Sequence, residues 1–356
     1  MKNYLRKLIY FYLFIHFNFT AFSQIDSEKD QQFFEKLYNF QFSDADSLLA
    51  TIDSIQEPSH FNFLKAHYMR WCYLPIHQQN EKILKKYNRY LEATDYQDDE
   101  KEDNYHYVNS ALLRAEFNYN QGNYYKSFQN GAKVYDVVKD HLESKPQQDE
   151  VKFLASLYHY YYQYYKTENP VFGTLMWFFK EGDKEKGLLW LEEVAQGNSI
   201  LATEALVYLS HIYLRLENQP HKALGFALQL LQKHPNNLKF HELVIESHIA
   251  TNNEKESVLS LIQKLESSEK TYFKKYGVCY NAIYMTKFNE TSKDEKEFKL
   301  EEALKFIQNN GGGNHLSSLL YNSLYELTEN DLYLKEKIEI EAYKYSLTGY
   351  LEKDLN

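Results

Sequence analysis

The sequence is poor in the residues that break or crosslink a chain. Its 356 residues include only 12 Gly and 6 Pro, which argues against a turn-rich β-sandwich, a propeller or a collagen-like chain. The two cysteines are too few for a disulfide framework or a four-cysteine zinc site. Cys72 and Cys279 lie far apart in sequence, and a linear array of repeats would keep them apart, so we expect two buried thiols.

Positive charge is also scarce. The chain has 40 Lys and Arg against 50 Asp and Glu, a formal charge of −10, and no local stretch concentrates its bases. Proteins that bind nucleic acid carry a basic stripe or patch, so we expect no nucleic-acid partner. Hydrophobic residues make up 44% of the chain, which is enough for a sizeable core, and the 33 Tyr suit thin layers of paired helices.

Residues 1–23 have the order of a secretory signal peptide. Three bases (Lys2, Arg6 and Lys7) precede the apolar run 8–15, and Ala21-Phe22-Ser23 forms a small-x-small cleavage site. The run is shorter than the roughly 20 residues of a membrane span, which disfavours the alternative of an uncleaved anchor. We therefore predict an exported chain, 24–356, whose charge changes from −10 to −13 with the loss of those three bases. Its destination stays open among the periplasm, the outer membrane and the medium.

Beyond Gln24, nearly every segment has the periodicity of an amphipathic helix. Over 201–216 the apolar residues recur three and four positions apart, and the same spacing returns over 223–231 and 258–265. No segment shows the alternation of a half-buried strand. The sequence predicts an all-α domain over 24–356.

A small residue followed by an apolar one recurs along the chain, and we expect it to open a helix each time. The interval is 36 residues from Gly187 to Ala223 and 34 from Ala223 to Ser257, then 46 to Ala303. Periods of about 34 residues are typical of helix–turn–helix repeats that stack into a superhelix. We predict an α-α superhelix of antiparallel pairs, with a longer loop or helix in the last interval. The dipeptides are Ser47-Leu48, Ser127-Phe128, Gly187-Leu188, Ala223-Leu224, Ser257-Val258 and Ala303-Leu304.

The segment 199–235 resembles a tetratricopeptide repeat. Leu209 and Ser210 match the Leu-small pair of its first helix, and the turn 217–220 holds one residue more than the motif. A weaker copy spans 111–134. The other matching positions are Tyr213, Ala223, Ala227 and Pro235.

A narrower resemblance covers 169–250. The order Gly182-Asp183 followed by Gly187-Leu188 and Trp190 is similar to the tetratricopeptide-repeat 39 and inclusion-body-clearance family of outer-membrane-associated repeat proteins. That resemblance implies a helical-repeat scaffold without catalytic residues. The signal-like start departs from the intracellular members and indicates an exported bacterial relative.

No motif in the chain predicts a catalytic, cofactor-binding or metal-binding residue. His241 begins an H-E-x-x pattern, but Ile245 stands where a second zinc ligand belongs. His241 and His248 share a helix face, and we interpret them as exposed or capped histidines. The glycines at 311–313 lack the Gly-Lys-Ser/Thr ending of a phosphate loop and are typical of a flexible connector.

The tyrosine-rich stretch 157–165 admits two interpretations. So many rings over two helical turns cannot all face one core, so some must be exposed or must contact a neighbouring layer. A central helix packed on both sides explains the pattern, and an exposed aromatic platform for a partner is the alternative.

Two functions fit these observations. The first is a non-enzymatic, exported scaffold or adaptor that binds a protein or peptide in its superhelical groove, where a negative net charge favours a basic or mixed partner surface. The second is a glycan- or nutrient-binding helical-repeat protein of the cell envelope. The scarcity of Trp counts against the second, because Trp190 is expected in the seam of a helix pair.

Overall fold

The computed structural model describes residues 28–52, 54, 58–76, 79–94, 105–168, 179–252, 256–311 and 314–341. The predicted signal peptide 1–23 lies outside them. The described residues form sixteen α-helices and no strand, which confirms the all-α prediction. The helices are α1 (Glu28–Tyr38), α2 (Phe42–Leu49), α3 (Pro58–Cys72), α4 (Glu81–Glu92), α5 (Tyr105–Asn120), α6 (Tyr124–Val138), α7 (Asp149–Glu168), α8 (Lys184–Ala195), α9 (Ile200–His211), α10 (Pro220–Lys233), α11 (Leu238–Ala250), α12 (Glu256–Glu266), α13 (Thr271–Phe288), α14 (Lys293–Asn309), α15 (Asn314–Thr328) and α16 (Asp331–Glu341).

The helices stack as antiparallel pairs in two layers. Each helix packs against the next in sequence. Odd-numbered helices also pack on one another, as α1 does on α3, α3 on α5, α7 on α9, α11 on α13 and α13 on α15. In the described residues, no contact of comparable extent joins two even-numbered helices. The odd-numbered layer is therefore the inner, concave side of an α-α superhelix.

The recurring small residues lie on even-numbered helices, and two of them lie where a helix pair approaches closely. A Cβ atom on Gly187 of α8 would lie 2.7 Å from the Ser156 carbonyl oxygen and 2.7 Å from the Tyr160 nitrogen, both in α7. The Ser127 hydroxyl of α6 donates to the Ala115 carbonyl of α5 at 2.8 Å. The prediction that a small residue marks the close approach of a pair is confirmed at these two positions.

The prediction that each small residue opens its helix is only partly right. Ser47 lies in the second half of α2, and Ala303 lies well inside α14. The long interval before Ala303 arises because Ala303 lies ten residues beyond Lys293, the first residue of α14. The starts of α12 and α14, Glu256 and Lys293, are 37 residues apart, so the expected longer loop or helix does not account for the 46-residue spacing.

The extra residue of the repeat-like segment coincides with a π-helical turn. After α9 the chain continues as a π-helix over Ile212–Leu216. The Glu217 N–H donates to the Ile212 carbonyl at 2.9 Å, which is the i to i−5 pattern. A π turn contains one more residue than an α turn. The extra residue is therefore accommodated while the backbone N–H groups keep their hydrogen bonds.

The superhelix closes on itself. The Asn237 side chain donates to the Tyr38 carbonyl at 2.7 Å, although 199 residues separate them. Aromatic contacts follow the same seam, with ring centroids 5.8 Å apart for Trp71 and Phe240 and 5.8 Å apart for Phe40 and Phe273. The expectation that distant repeats stay apart is wrong, because the first repeats curl back onto α10–α13.

Both cysteines are free thiols in two different environments. Cys279 is fully buried, and its Sγ lies 3.8 Å from the Leu316 carbonyl oxygen. Cys72 ends α3 at the closing seam, where its carbonyl accepts a hydrogen bond from Lys270 Nζ at 3.2 Å, and it is only half-buried. The expectation of two buried thiols is confirmed for Cys279 and wrong for Cys72.

Candidate functional site

The Gly182–Leu188 motif has a structural role at the junction of α7 and α8. Asp183 is the N-cap of α8, where its carboxylate accepts from the Lys186 N–H at 3.0 Å, while its own N–H donates to His159 Nδ1 at 3.0 Å. A Cβ atom on Gly182 would lie 2.7 Å from Tyr162 Cβ. Each feature of the motif thus serves the contact between the two helices.

A cleft of about 460 Å³ opens beside this junction. Its lining groups are already paired with one another. His159 Nε2 donates to the Leu142 carbonyl at 3.0 Å, since Nδ1 accepts from Asp183, and Lys186 Nζ donates to the same carbonyl at 2.7 Å. These side chains join the 142–143 segment to α8, and few of their hydrogen-bond donors and acceptors remain for a ligand.

The two histidines of α11 occupy the core. His241 and His248 are both buried, and His241 Nε2 donates to the Pro235 carbonyl at 2.8 Å. Burial is the first cause of the lowered pKa of His241. His241 therefore fits the capped alternative of the two that the sequence left open. Among the described residues, no group of three His, Cys, Asp or Glu side chains is placed to hold a metal ion.

The tyrosine-rich stretch belongs to a central helix, α7. Tyr160 and Tyr162 are buried, and no residue over 157–165 is exposed. This agrees with the interpretation of a helix packed on both sides. Tyr161 and Tyr165 are half-buried, and their rings stack at 5.8 Å. The electrostatic neighbours of Tyr161 are Tyr208 and Glu116, on the inner helices α9 and α5.

A band of polar and aromatic side chains runs along the inner layer from α3 to α15. We call this band the inner strip. All of its members except the exposed Glu116 are buried or half-buried. The strip comprises Arg70, Glu116, Tyr161, Tyr165, Glu204, Tyr208, His211, Arg215, Lys239, Glu242, Glu246, Tyr272, Tyr276 and His315.

One end of the inner strip is organised by Arg70. Its guanidinium lies 3.3 Å from a Glu116 carboxylate oxygen and 3.6 Å from one of Glu204. The Tyr38 hydroxyl donates to the other oxygen of Glu204 at 2.5 Å. The buried carboxylate of Glu204 thus joins α1 and α3 to α9, and Arg70 also reaches α5 through Glu116.

The middle of the inner strip holds a buried ion pair at the π-helical turn. Arg215 Nη2 lies 2.7 Å from Glu246 Oε2, which also accepts from the Tyr280 hydroxyl at 3.2 Å. The side chains of Arg215 and Glu246 are only 4% and 1% exposed. Burial acts to raise the pKa of Glu246, but the charge and the hydrogen bond of Arg215, together with the positive charge of Lys239, outweigh it, so the pKa is lowered and the carboxylate stays ionised.

A second ion pair lies one turn earlier on α11. Lys239 pairs with the fully buried Glu242, and its Nζ donates to the Tyr272 hydroxyl at 2.8 Å. The ammonium group also lies 5.2 Å from the ring centroid of Tyr276, within cation–π range. Burial lowers the pKa of Lys239 and raises that of Glu242, while the pairing opposes both changes.

Two histidines of the inner strip keep free hydrogen-bonding capacity. Burial, followed by the charges of Arg215, Lys239 and Arg70, lowers the pKa of His211 well below its usual value. Burial lowers the pKa of His315 to about 4, so both rings are neutral at pH 7. Within the described part of the chain, no partner binds His211 Nδ1 or either ring nitrogen of His315.

The inner strip holds three more such atoms, Arg70 Nη1 and two atoms of the central ion pair. Glu246 Oε1 and Arg215 Nε are buried and have no hydrogen-bond partner in the described regions. A buried polar atom without a partner costs about 1–3 kcal/mol, so such atoms are rare in folded proteins unless water or a ligand binds them. Six of the fifteen such atoms in the described regions belong to the inner strip, and we take the strip as the candidate binding site.

No motif of the sequence pointed to the inner strip. The available signal was the presence of charged residues inside strongly apolar helices, as with Glu204 in α9 and Glu242 and Glu246 in α11. Such residues are almost never fully buried unless paired. Comparisons with known protein families, curated proteins and solved structures give no match. None of the described helices is long and apolar enough to cross a membrane.

Proposed function

We propose that this protein is a non-enzymatic helical-repeat scaffold that binds a protein or peptide partner along its inner strip. The observation that carries the proposal is the concentration of unpartnered buried polar atoms and half-buried tyrosines on the concave layer. Tyrosine and arginine are the residue types enriched where binding energy concentrates, and a concave repeat surface presents them over a long path.

The proposal includes a tetratricopeptide-like relationship and an exported location. The relationship is supported by the close-packed small residues at Gly187 and Ser127 and by the π turn that takes up the extra residue. Export rests on the pattern of residues 1–23. Mass spectrometry of the chain from fractionated cells would support export by an N-terminus at Gln24, and an intact Met1 in the cytosolic fraction would contradict it.

Site-specific photocrosslinking tests the binding proposal. A photoreactive phenylalanine analogue is placed at Tyr276 in the inner strip, or at Tyr125, which is 74% exposed on α6, as the matched control. The mature chain is crosslinked in the envelope fraction, and the attached peptide is sequenced by mass spectrometry. We expect one partner segment at Tyr276 and none at Tyr125. Equal labelling from both positions, or labelling from Tyr125 alone, would contradict the inner strip as the site.

The half-buried tyrosines also favour a second candidate, a glycan- or nutrient-binding protein of the cell envelope. Sugars stack on aromatic faces, and Tyr161, Tyr165 and Tyr276 line the same strip. Titration with neutral oligosaccharides, followed by tyrosine fluorescence, separates the two candidates. A saturable change that Tyr276→Ala abolishes would favour the glycan, whereas an unchanged signal together with the Tyr276 crosslink favours the peptide.

A further inference from the structure

We propose that His234 is a proton-operated latch on the closing seam, and that proton uptake by its imidazole in mild acid frees α1 from the turn between α10 and α11. The closure of the superhelix is then sensitive to acid, while the helices themselves stay folded. The latch needs no partner, so it goes beyond the proposed function and is independent of it.

His234 lies in the turn that meets the N-terminal helix. It is the C-cap of α10, and its carbonyl accepts from the Asn237 N–H at 3.1 Å. The Asn237 side chain in turn donates to the Tyr38 carbonyl across the seam. The imidazole of His234 is buried, with its ring centroid 5.4 Å from that of Tyr38 and 5.9 Å from that of Phe240. One short turn therefore makes both the backbone contact and the ring contact with α1.

Both ring nitrogens of His234 are in hydrogen bonds to other parts of the chain. Nδ1 lies 3.2 Å from Asn39 Nδ2, directly after α1, and Nε2 lies 3.2 Å from Thr203 Oγ1 of α9. The Asn39 amide nitrogen can only donate, so Nδ1 accepts. The neutral ring then carries its hydrogen on Nε2 and donates to the Thr203 hydroxyl. The closed seam thus fits the neutral form of this imidazole.

The protonated imidazole cannot keep its contact with Asn39. Its Nδ1–H would face the NH₂ group of Asn39, so that two donors oppose each other. Rotation of the amide gives no relief, because Asn39 Nδ2 also donates to the Glu35 carbonyl at 3.1 Å. The rotated amide would place its own oxygen against that carbonyl oxygen. Protonation of the closed form therefore leaves a buried charge opposite a donor, which favours opening of the seam.

The charged groups near His234 give its protonated ring no counter-ion in the described structure. Burial, followed by the positive charge of Lys233 on the same helix, lowers the pKa of His234 to about 4. Glu204 on α9 is held by the Tyr38 hydroxyl and by Arg70 of α3. The other titratable side chains on the adjoining segments of α1 and α11 are the exposed Glu35, the half-buried Lys36, the paired Lys239 and Glu242, and the buried His241.

The difference in pKa between the closed and the open seam sets the size of the effect. In the open form His234 regains the ordinary imidazole pKa of about 6.5, whereas in the closed form its pKa is about 4. The open form therefore binds protons first as the pH falls. The equilibrium constant for opening should increase about tenfold per pH unit from about pH 6.5 to about pH 4, and roughly 20-fold to 30-fold between pH 7 and pH 5.

Hydrogen exchange followed by mass spectrometry tests the latch on the mature chain 24–356. The protection factor compares the observed exchange rate with that of the unfolded sequence at the same pH, so it measures the opening of each segment. We expect the protection of segments 37–42 and 234–241 to fall roughly 20-fold to 30-fold from pH 7 to pH 5. Circular dichroism at 222 nm should stay constant over the same range, because the helices stay folded.

Two variants identify the group that takes up the proton. In His234→Gln the side chain can still donate and accept hydrogen bonds but does not titrate, so the fall in seam protection should be lost. Asn39→Asp places a carboxylate opposite Nδ1, which suits the protonated ring, so the pH dependence should reverse and protection should be higher at pH 5 than at pH 8. The matched control is His221→Gln on the exposed surface of α10, which should behave as the wild type.

The comparison uses the change in protection with pH within each variant, so a seam that is weakened at neutral pH still gives an answer. The latch is overturned if His234→Gln keeps the acid response of the wild type, or if Asn39→Asp leaves its direction unchanged. It is also overturned if the seam segments are as strongly protected as segment 297–307 of α14 at every pH, because the seam would then open only when the whole chain unfolds.

Discussion

The side chain of Asn237 links two distant parts of the chain through opposite ends of one amide. Its oxygen caps α11 by accepting from the Lys239 N–H at 2.9 Å, and its nitrogen donates to the Tyr38 carbonyl at 2.7 Å. The residue is fully buried. The local start of a helix and the global closure of the superhelix therefore depend on the same side chain.

Asn237→Asp separates these two roles. The carboxylate still caps α11, but it cannot donate to Tyr38, whose carbonyl then faces an oxygen. We expect a loss of about 1–3 kcal/mol in the free energy of unfolding, measured by urea titration. Asn80 caps α4 by accepting from the Ile83 N–H and is exposed. Asn80→Asp is thus the matched control and should be neutral or slightly stabilising, because an acid suits a helix N-terminus. Equal losses for both variants would argue against a closed superhelix.

Gly187→Ala tests the close approach of α7 and α8. The new methyl group would lie 2.7 Å from two backbone atoms of α7, and relief requires the helices to separate. We expect destabilisation of about 1–3 kcal/mol. Gly225→Ala in α10 adds the same methyl where no atom lies within 4 Å and should stabilise by about 0.5–1 kcal/mol through helix propensity. Thermal melts followed by circular dichroism at 222 nm would show opposite shifts. Shifts of the same sign would show that helix propensity, and not packing against α7, determines the effect of Gly187→Ala on stability.

The buried pair of Arg215 and Glu246 calls for a double-mutant cycle. Arg215→Met leaves an unpaired buried carboxylate and should cost about 3–5 kcal/mol, as should Glu246→Met for the opposite charge. The double variant should be more stable than either single one, because no uncompensated charge remains. The surface pair of Glu81 and Lys85 is 80% and 76% exposed, and the same cycle there should give under about 1 kcal/mol. Additive losses at Arg215 and Glu246 would refute their coupling.

The free energy of unfolding should fall in mild acid because two histidines, His67 and His106, are buried where α3 packs against α5. Burial is the main cause that lowers the pKa of His67 to about 3 and that of His106 to about 4, against an ordinary value of 6.5. The unfolded chain therefore takes up protons first as the pH drops. The stability held above pH 6.5 is lost progressively below it, at about 1.4 kcal/mol per pH unit for each histidine, until the folded value is reached.

The variant His106→Gln checks this assignment. Urea midpoints measured from pH 7 to pH 4.5 should show a shallower loss of stability than in the wild type, by about 2–3 kcal/mol over the range. His221 is exposed, so the variant His221→Gln serves as the control for losing an imidazole group that is not buried. An unchanged slope for His106→Gln would assign the acid sensitivity to other groups.

The sequence was sufficient for those features of the fold that are local. Apolar spacing over 201–216 predicts a helix where α9 and its π-helical continuation lie, and the spacing over 223–231 predicts α10. The small residue at Gly187 predicted the tight pair of α7 and α8, since contact between sequence neighbours is encoded within one repeat. These inferences need only the geometry of one helix and its partner.

The closure of the superhelix and the assembly of the inner strip depend on the rotation between successive repeats, which accumulates along the chain. A small rotation from each repeat to the next decides whether Tyr38 reaches Asn237, and no local pattern records that sum. Arg70 and Glu204 come together only through it.

The closing seam changes the mechanics of the superhelix. An open helical-repeat array behaves as a spring, because each interface flexes a little and the ends are free. Here the contact of Phe40 with Phe273, and the hydrogen bond from Lys270 to the Cys72 carbonyl, tie one coil to the next. The superhelix therefore cannot widen by gradual stretching. A long partner of the kind we propose would have to thread in from an end or break the seam, so its association would be slow.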